Sequence, residues 1–353
     1  MTSQISELAD FGWNAFFSAQ LDIDELNAAT PVRVMAVHRD RIHVAGPGID
    51  TLITPFTDAA GGEEATATVG DWLLLEAGTT RPRRLLRRAS LFKRRAAGTS
   101  RKQQLIAANV DTLFIVSSCN QDFNAARLER YLALAREAEV TPVIVLTKAD
   151  LTDAPEDYVH AAANLVPGIL VELVDARSAE SAARLTPWCA RGQTVALVGS
   201  SGVGKSTLVN TLTGSDRIAT QGIREDDDKG RHTTSGRALH RLPAGGWLVD
   251  TPGIRELQIT DVKAGVDEVF ADVVALAADC RFTDCRHESE PGCAVRAAIE
   301  SGALDAGRLA RWRKLAAEEA HNTVSLAERR ARDRAFSKMA KRAMRDKQSR
   351  RGE

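Results

Sequence analysis

The chain has 353 residues, 44% hydrophobic and 27% charged, with 47 Lys and Arg balanced against 47 Asp and Glu. That is the composition of a soluble globular protein, and the length points to about two or three domains. No run reaches the roughly 20 apolar residues of a membrane span. Met1-Thr2-Ser3-Gln4 lacks the basic start and apolar core of a secretory signal. The five cysteines, an odd number, argue against a disulfide framework and fit the reducing cytoplasm.

Residues 1–28 carry Leu8, Phe11, Trp13, Phe16 and Phe17 at helix-like spacing, a leader expected to pack on the body. Residues 29–96 change to short β runs at 33–37, 41–44, 51–54, 65–69, 71–76 and 84–88. Such runs, broken by Gly, Asp and Pro, suggest a small β-barrel, and five of them suit an OB-fold. A basic stretch from Ala89 leads into residues 97–107, which read as a linker. Residues 108–261 alternate strands at 112–117, 142–146 and 169–174 with helices at 125–139, 156–165 and 179–188. The first of these helices places Arg127, Arg130 and Arg136 on its outer face. The alternation predicts a parallel sheet with helices on both faces, a multidomain α/β chain. The strands stop after Trp247-Leu248-Val249-Asp250. Residues 262–328 read as helical with one cysteine-rich interruption, and 329–353 form a basic tail. Basic residues crowd into 81–102 and 329–351, which is compatible with a polyanionic partner.

Gly199-Ser200-Ser201-Gly202-Val203-Gly204-Lys205-Ser206-Thr207 follows the apolar run Val195-Ala196-Leu197-Val198 and precedes a helix-compatible stretch. Strand, glycine-rich loop and helix are the context in which G-x-x-x-x-G-K-S/T binds a nucleoside triphosphate. Backbone N–H groups curl round phosphate oxygens at a helix N-terminus. Lys205 would reach the β- and γ-phosphates and Ser206 would ligate Mg²⁺. Downstream, Asp250-Thr251-Pro252-Gly253 puts an acid for Mg²⁺ at a strand end and the Gly253 N–H toward the γ-phosphate. Upstream, Thr147-Lys148-Ala149-Asp150 matches N/T-K-x-D. The Asp150 carboxylate is acceptor-only, as guanine N1–H and the N2 amine require. Adenine would leave it unpaired, which selects GTP.

The order is unusual, because the base motif precedes the P-loop. Loops at the C-terminal edge of a parallel sheet meet regardless of chain order, so a circular permutation leaves the site intact. Residues 221–235 are sparse in apolar side chains and end Gly230-Arg231-His232-Thr233-Thr234-Ser235, a candidate switch. Thr234, preferred over Thr233, would complete the Mg²⁺ shell. His232 would orient water or bind a partner, or is a plain loop histidine. Ile254 stands where many GTPases carry a water-orienting glutamine, so unaided hydrolysis should be slow. Cys280-x₄-Cys285-x-His287-x₅-Cys293 supplies the ligands of one closed, structural zinc site. Cys119 and Cys189 read as small buried hydrophobes.

With these motifs, and with Val69-Gly70-Asp71-Trp72 and Ala107-Ala108-Asn109-Val110-Asp111, the chain resembles the RsgA (YjeQ) family over about residues 30–320. The resemblance implies an N-terminal OB-fold, a circularly permuted GTPase domain and a zinc-bearing helical domain. It implies GTP hydrolysis stimulated by the small ribosomal subunit, a role in its late maturation, and contact with ribosomal RNA. Two positions depart from the family. Thr147 replaces the commoner asparagine and is expected to loosen the base loop. Val174-Asp175-Ala176 stands where Ser-Ala is usual, with the Ala176 N–H left to meet guanine O6. The tail resembles an RNA-binding arm. The chain is expected to act as a monomer with GTP or GDP, without a membrane partner.

A P-loop small-molecule kinase would leave Asp150, the cysteine cluster and the basic segments without purpose. An RNA-binding scaffold with structural nucleotide would show little turnover. Asp150→Asn removes one acceptor, and competition binding should show reduced preference for GTP over xanthosine triphosphate. Unchanged discrimination would contradict the guanine assignment.

Overall fold

The structure, a computed structural model, describes residues 2–58, 64–95, 103–214, 237–250 and 262–323. The leader forms α1 (Thr2–Asp10), α2 (Ala15–Ser18) and α3 (Ile23–Ala28). The Asn14 side chain caps α2 by accepting from the Phe16 N–H, and Asp22 caps α3 through the Glu25 N–H. Leu8, Trp13 and Phe17 are buried with Trp72, Leu74 and Leu86. Phe16, expected among them, is exposed.

Strands β1 (Ala29–Val37), β2 (Ile42–Gly46), β3 (Ile49–Ile53), β4 (Trp72–Glu76) and β5 (Pro82–Leu85) follow. They pair antiparallel in the order β3-β2-β1-β4-β5, the OB-type unit expected. Alternate residues Val32, Val34, Ile42, Val44, Leu73 and Leu75 fill its core. Arg33, Trp72 and Leu74 alternate with them, and Trp72 and Leu74 take the leader's apolar residues. Residues 65–69 are buried except Thr66, and among the described residues they form an isolated Thr57–Thr66 bridge in place of a strand.

Residues 103–107 of the stretch read as a linker lie in a β-strand. Strand β6 (Leu91–Arg95) pairs antiparallel with β7 (Gln103–Ala108). Phe92 and Ile106 are buried, while Lys93 and Arg94 are not. The basic side chains take the outer positions of a strand, which composition reads as linker.

Next come β8 (Thr112–Ser118), α4 (Ala125–Glu137), β9 (Thr141–Thr147), α5 (Pro155–Ala163), β10 (Leu170–Leu173) and α6 (Ala179–Ala182). They are followed by β11 (Thr194–Gly199), α7 (Lys205–Thr213), β12 (Arg237–Arg241) and β13 (Trp247–Asp250). The expected helix at 179–188 continues past α6 only as a 3-10 turn, Ala183–Trp188, with Pro187 inside it. Strands β10, β9, β8, β11 and β13 are parallel. Their side chains divide by period 2. Leu113, Ile115, Ile144, Leu146, Ala196 and Val198 pack with residues of α4 and α5. Phe114, Val116, Val143, Val145, Val195 and Leu197 pack with Ala182, Leu185 and Leu208. Helices therefore cover both faces, as the alternation predicts.

Strand β12 was not anticipated. It runs antiparallel to β13 and pairs Ala36↔Ala238 with β1, so barrel and parallel strands form one mixed 11-stranded sheet. The C-terminal region is helical as expected: α8 (Lys263–Val269), α9 (Ala271–Ala278), α10 (Ala294–Glu300) and α11 (Ala306–Thr323). A Cβ at Gly265 would lie 2.1 Å from the Ala133 carbonyl oxygen, so only glycine lets α8 approach α4 this closely. Among the described residues no helix is long and apolar enough to cross a membrane.

Arg33 on β1 is buried, and burial lowers its guanidinium to about 10, still cationic at neutral pH. It donates to the Phe11 carbonyl of the leader, to the Asn109 carbonyl at 3.3 Å and to Thr194 Oγ1 at 2.8 Å. Arg33→Met would leave these acceptors dry and unpaired. It is expected to lower the unfolding free energy by about 3 kcal/mol, read from denaturant unfolding.

Candidate nucleotide and metal sites

Strand β11 is buried along its whole length and ends at Gly199, φ +147°, where a Cβ would lie 2.2 Å from the Val116 carbonyl oxygen. Gly202 (φ +80°) and Gly204 (φ +94°) take left-handed conformations that glycine adopts without strain, and α7 starts at Lys205. This is the loop that turns successive N–H groups onto an anion. Lys205 is buried, and its Nζ donates to the Ser200 carbonyl across the loop. Phosphate oxygens of a bound nucleotide would replace that carbonyl.

The base loop is bound to the P-loop by the residue expected to loosen it. Thr147 is buried, with Oγ1 2.6 Å from the Val203 carbonyl oxygen and 3.1 Å from that of Ser117. A threonine hydroxyl thus replaces a longer amide as a tie between β9, β8 and the phosphate loop. Lys148 takes φ +58° and directs the chain into a 3-10 turn, Ala149–Leu151. The second base loop arrives from β10. The Asp175 N–H donates to Ser181 Oγ at 2.8 Å, and the Ala176 carbonyl accepts from Thr211 Oγ1 of α7 at 2.6 Å. The Arg177 backbone N–H, bonded to Asp175, holds that carboxyl below the usual carboxylate range. Thr147, Lys148, Asp150, Ala176, Gly204 and Thr207 line one cavity of about 210 Å³. The Asp150 carboxylate is half open to solvent and lies 3.2 Å from Arg177 Nη2. Arg177 was not picked out from the sequence, although it adjoins Ala176.

On the opposite flank of the P-loop stands Arg127 of α4. The structure corrects its placement on an outer face. Its guanidinium donates to Ser200 Oγ and lies 3.4 Å from the Asp122 carbonyl oxygen. Arg130 and Arg136 are also half-buried and turn to neighbouring helices, paired with Glu318 of α11 and Glu268 of α8. Arg127, Ser200, Ser201, Arg311 and Lys314 border a cavity of about 530 Å³ between α4 and α11. The sheet register was the missing signal: Gly199 pairs with Val116, so the loops after β8 and β11 emerge side by side.

Asp250 ends β13 with its carboxylate exposed, 3.8 Å from His240 Nε2. Ser206 lies in the first turn of α7. His232, Thr234, Gly253 and Ile254 lie outside the described residues, as does the tail.

The cysteine cluster assembles between α9 and α10. The ligand atoms of Cys280, Cys285, His287 and Cys293 all lie within 4.8 Å of one another. His287 Nδ1 is 3.5 Å from Sγ of both Cys280 and Cys293, and those sulfurs are 3.9 Å apart. A tetrahedron with Zn–S near 2.3 Å and Zn–N near 2.0 Å has edges of about 3.5 Å (S–N) and about 3.8 Å (S–S). The donor set therefore fits a metal ion of that size. Burial lowers the His287 pKa, with Arg313 adding to the effect, which favours the neutral imidazole that a metal requires. Burial opposes ionisation of Cys280, but N–H groups of Val295 and Ala294 and the neighbouring thiols bring it below the usual thiol value. Burial and the two neighbouring thiols push Cys285 up to about 11, and burial pushes the core thiols Cys119 and Cys189 to about 11 and about 12.

Comparison with known proteins gives the same grouping. The family model described as RsgA GTPase matches residues 85–260, a span containing the base loop, the P-loop and Asp250. A model described as ABC transporter matches residues 184–338, which include the same P-loop. The chain is 49% identical over 350 residues to "Small ribosomal subunit biogenesis GTPase RsgA 2" of Vibrio parahaemolyticus, covering 99% of this chain and 96% of the relative. It is 51% identical over 326 residues to "Small ribosomal subunit biogenesis GTPase RsgA" of Mesorhizobium japonicum, covering 92% and 93%. Among solved structures, YjeQ from Thermotoga maritima superposes with a TM-score of 0.58 at 23% identity over 81% of this chain and 97% of its own. YloQ, described as a circularly permuted GTPase, gives 0.57 at 22% identity over 84% and 97%.

Cys285→Ser should lower metal content, measured by elemental analysis of the purified chain, and loosen the segment between α9 and α10. A bound metal of this type contributes on the order of 10 kcal/mol to local folding. Unaltered metal content would disprove ligation by Cys285.

Proposed function

The chain belongs to the RsgA GTPase family, and on that premise we propose that it is a GTP hydrolase stimulated by the small ribosomal subunit. It acts in late maturation of that subunit, in the cytoplasm and as a monomer, with its grip on ribosomal RNA set by the bound nucleotide. The observation that carries the reading is the single cavity in which Asp150 and Ala176 meet Gly204 and Thr207 of the phosphate loop. One ligand must satisfy an acceptor-only carboxylate at one end and an N–H-lined phosphate loop at the other, which describes a guanine nucleotide.

In this reading Asp150 takes guanine N1–H and N2, the Lys148 stem covers the base, and the Ala176 N–H meets O6. Asp175 orders the second base loop. The backbone of Gly199, Ser200, Ser201, Gly202, Val203 and Gly204 cradles the phosphates, with Lys205 on the β- and γ-phosphates and Thr207 beneath. Ser206, Asp250 and Thr234 are the groups that would hold Mg²⁺, which neutralises phosphate charge when bound. Gly253 would meet the γ-phosphate and His232 the water or a partner. Cys280, Cys285, His287 and Cys293 would hold one structural Zn²⁺.

Guanine must displace Arg177 from Asp150. That pair is open to solvent, which screens it, so the barrier to entry is small.

The test is GTP turnover with purified small subunits, with large subunits and alone. Small subunits should raise turnover roughly tenfold or more, a barrier drop of at least about 1.4 kcal/mol. Large subunits should not, and Lys205→Ala should abolish the activity. Equal stimulation by both subunits would refute the partner assignment. Transfer of the γ-phosphate to a small molecule would instead identify a kinase.

A further inference from the structure

We propose that Arg127 is a catalytic residue of the GTPase. Its guanidinium binds the γ-phosphate and supplies, from within the chain, positive charge to the phosphoryl group in transit. The inference rests on the GTPase reading and names a residue that neither the motifs nor the fold assigns.

Its position comes from the sheet. Strands β8 and β11 are parallel neighbours with Val116 paired to Gly199, so α4 begins beside the phosphate loop. Arg127 lies in the first turn of α4 and donates to Ser200 Oγ, while Lys205 donates to the carbonyl of the same residue. Two cations thus converge on Ser200. One is the lysine that meets the β- and γ-phosphates in loops of this type. The other has no assigned task.

Charge pairing sets Arg127 apart from its neighbours. Arg130 is paired with Glu318, Arg308 with Glu129 and Asp272, and Arg311 with Glu129. Arg127 is half-buried, and its hydrogen-bond acceptors among the described residues are neutral oxygens, a hydroxyl and a backbone carbonyl. A partly desolvated guanidinium with no carboxylate, at the rim of a phosphate-binding loop, is matched by an anion with several oxygens.

The chemistry has room for such a group. The water oxygen forms a bond to the γ-phosphorus, and the bond from that phosphorus to the β–γ bridging oxygen breaks. The electron pair stays on GDP, and the proton of the water ends on the released phosphate. Charge spreads over the γ-oxygens and the bridge during transfer, where a guanidinium is most effective. Ile254 offers no side-chain hydrogen bond to the water, so a larger share of the stabilisation falls to cations. GDP has no γ-phosphate, so the contact with Arg127 is made only in the triphosphate state.

The experiment uses the full chain, its Arg127→Ala variant and its Arg127→Lys variant. Affinities for GDP and for a non-hydrolysable GTP analogue are measured by calorimetry, and GTP turnover is measured with small subunits. For Arg127→Ala, GDP affinity should stay within about twofold, analogue affinity should fall about tenfold, and turnover about a hundredfold. Arg127→Lys should recover much of the analogue affinity and less of the turnover, because a point charge lacks the planar fork. Equal losses for GDP and analogue would mark a structural role and overturn the proposal. Unchanged nucleotide affinities with weaker binding to the small subunit would assign Arg127 to an RNA phosphate and overturn it equally. Discrimination between analogue and GDP is read without turnover, so it judges Arg127 even where wild-type hydrolysis is absent. That absence would count against the GTPase reading alone.

Discussion

A single buried guanidinium joins parts of this protein that lie far apart in sequence. Arg33 sits on a barrel strand, yet its hydrogen bonds go to the leader, to the turn before β8 and to the first residue of β11. Its ring-facing side lies 6.0 Å from the centre of Trp72, and Asp71 and Asp111 supply opposing charge nearby. A buried cation so placed is stable only when all its acceptors stay in register. Asn109 completes the junction. Held at φ +55°, it accepts from the Ala89 N–H at 2.8 Å and donates to the Gly70 carbonyl at 3.0 Å. Asp71, in turn, is paired with Arg88 at 2.7 Å. The barrel and the nucleotide-binding sheet are therefore locked through polar contacts set among apolar and aromatic side chains, and the β1–β12 pairing extends the lock through the backbone.

The sequence motifs survive this comparison because each is local. The phosphate loop, the Thr147–Asp150 stretch and the four metal ligands each need only a short run of chain in one conformation, so residue type and spacing carry them. The alternation along β8, β9 and β11 was equally legible, since buried parallel strands read as unbroken apolar runs. Strand β12 was not, because Arg237-Ala238-Leu239-His240-Arg241 mixes charge with apolar residues at a position where both neighbours are strands. The β6–β7 pair was hidden for the same reason: Lys93, Arg94 and Arg95 dominate the composition while Phe92 and Ile106 fill the interior.

Contacts between elements were the other limit. Helical periodicity separates the core face of α4 from the rest, but cannot say which of the remaining residues faces a neighbouring loop. It grouped Arg127 with Arg130 and Arg136, and only the strand order separates them. Thr147 shows the converse. Judged as a substitution within a motif it promised a looser loop, whereas its hydroxyl reaches the Val203 carbonyl directly. Arg33 gave no signal, because a basic residue in a strand ordinarily faces solvent.

Helix α11 spans 18 residues, about 27 Å at 1.5 Å per residue, and both ends of the chemistry touch it. Arg308 and Arg311 clasp Glu129 of α4, and Glu318 holds Arg130, one turn from the arginine beside the phosphate loop. On the same rod, Trp312 rests 5.8 Å from the His287 ring, and Arg313 donates to the Arg286 carbonyl. Contacts to α4 and to the cysteine cluster thus share one helix, and both bear on the angle at which α11 meets α4. By thermodynamic reciprocity, whatever nucleotide-dependent preference α4 imposes on that angle is returned, with equal free energy, as a preference at the metal module. The cysteine cluster is thus packed against the helix that braces α4, as well as closing its own loop.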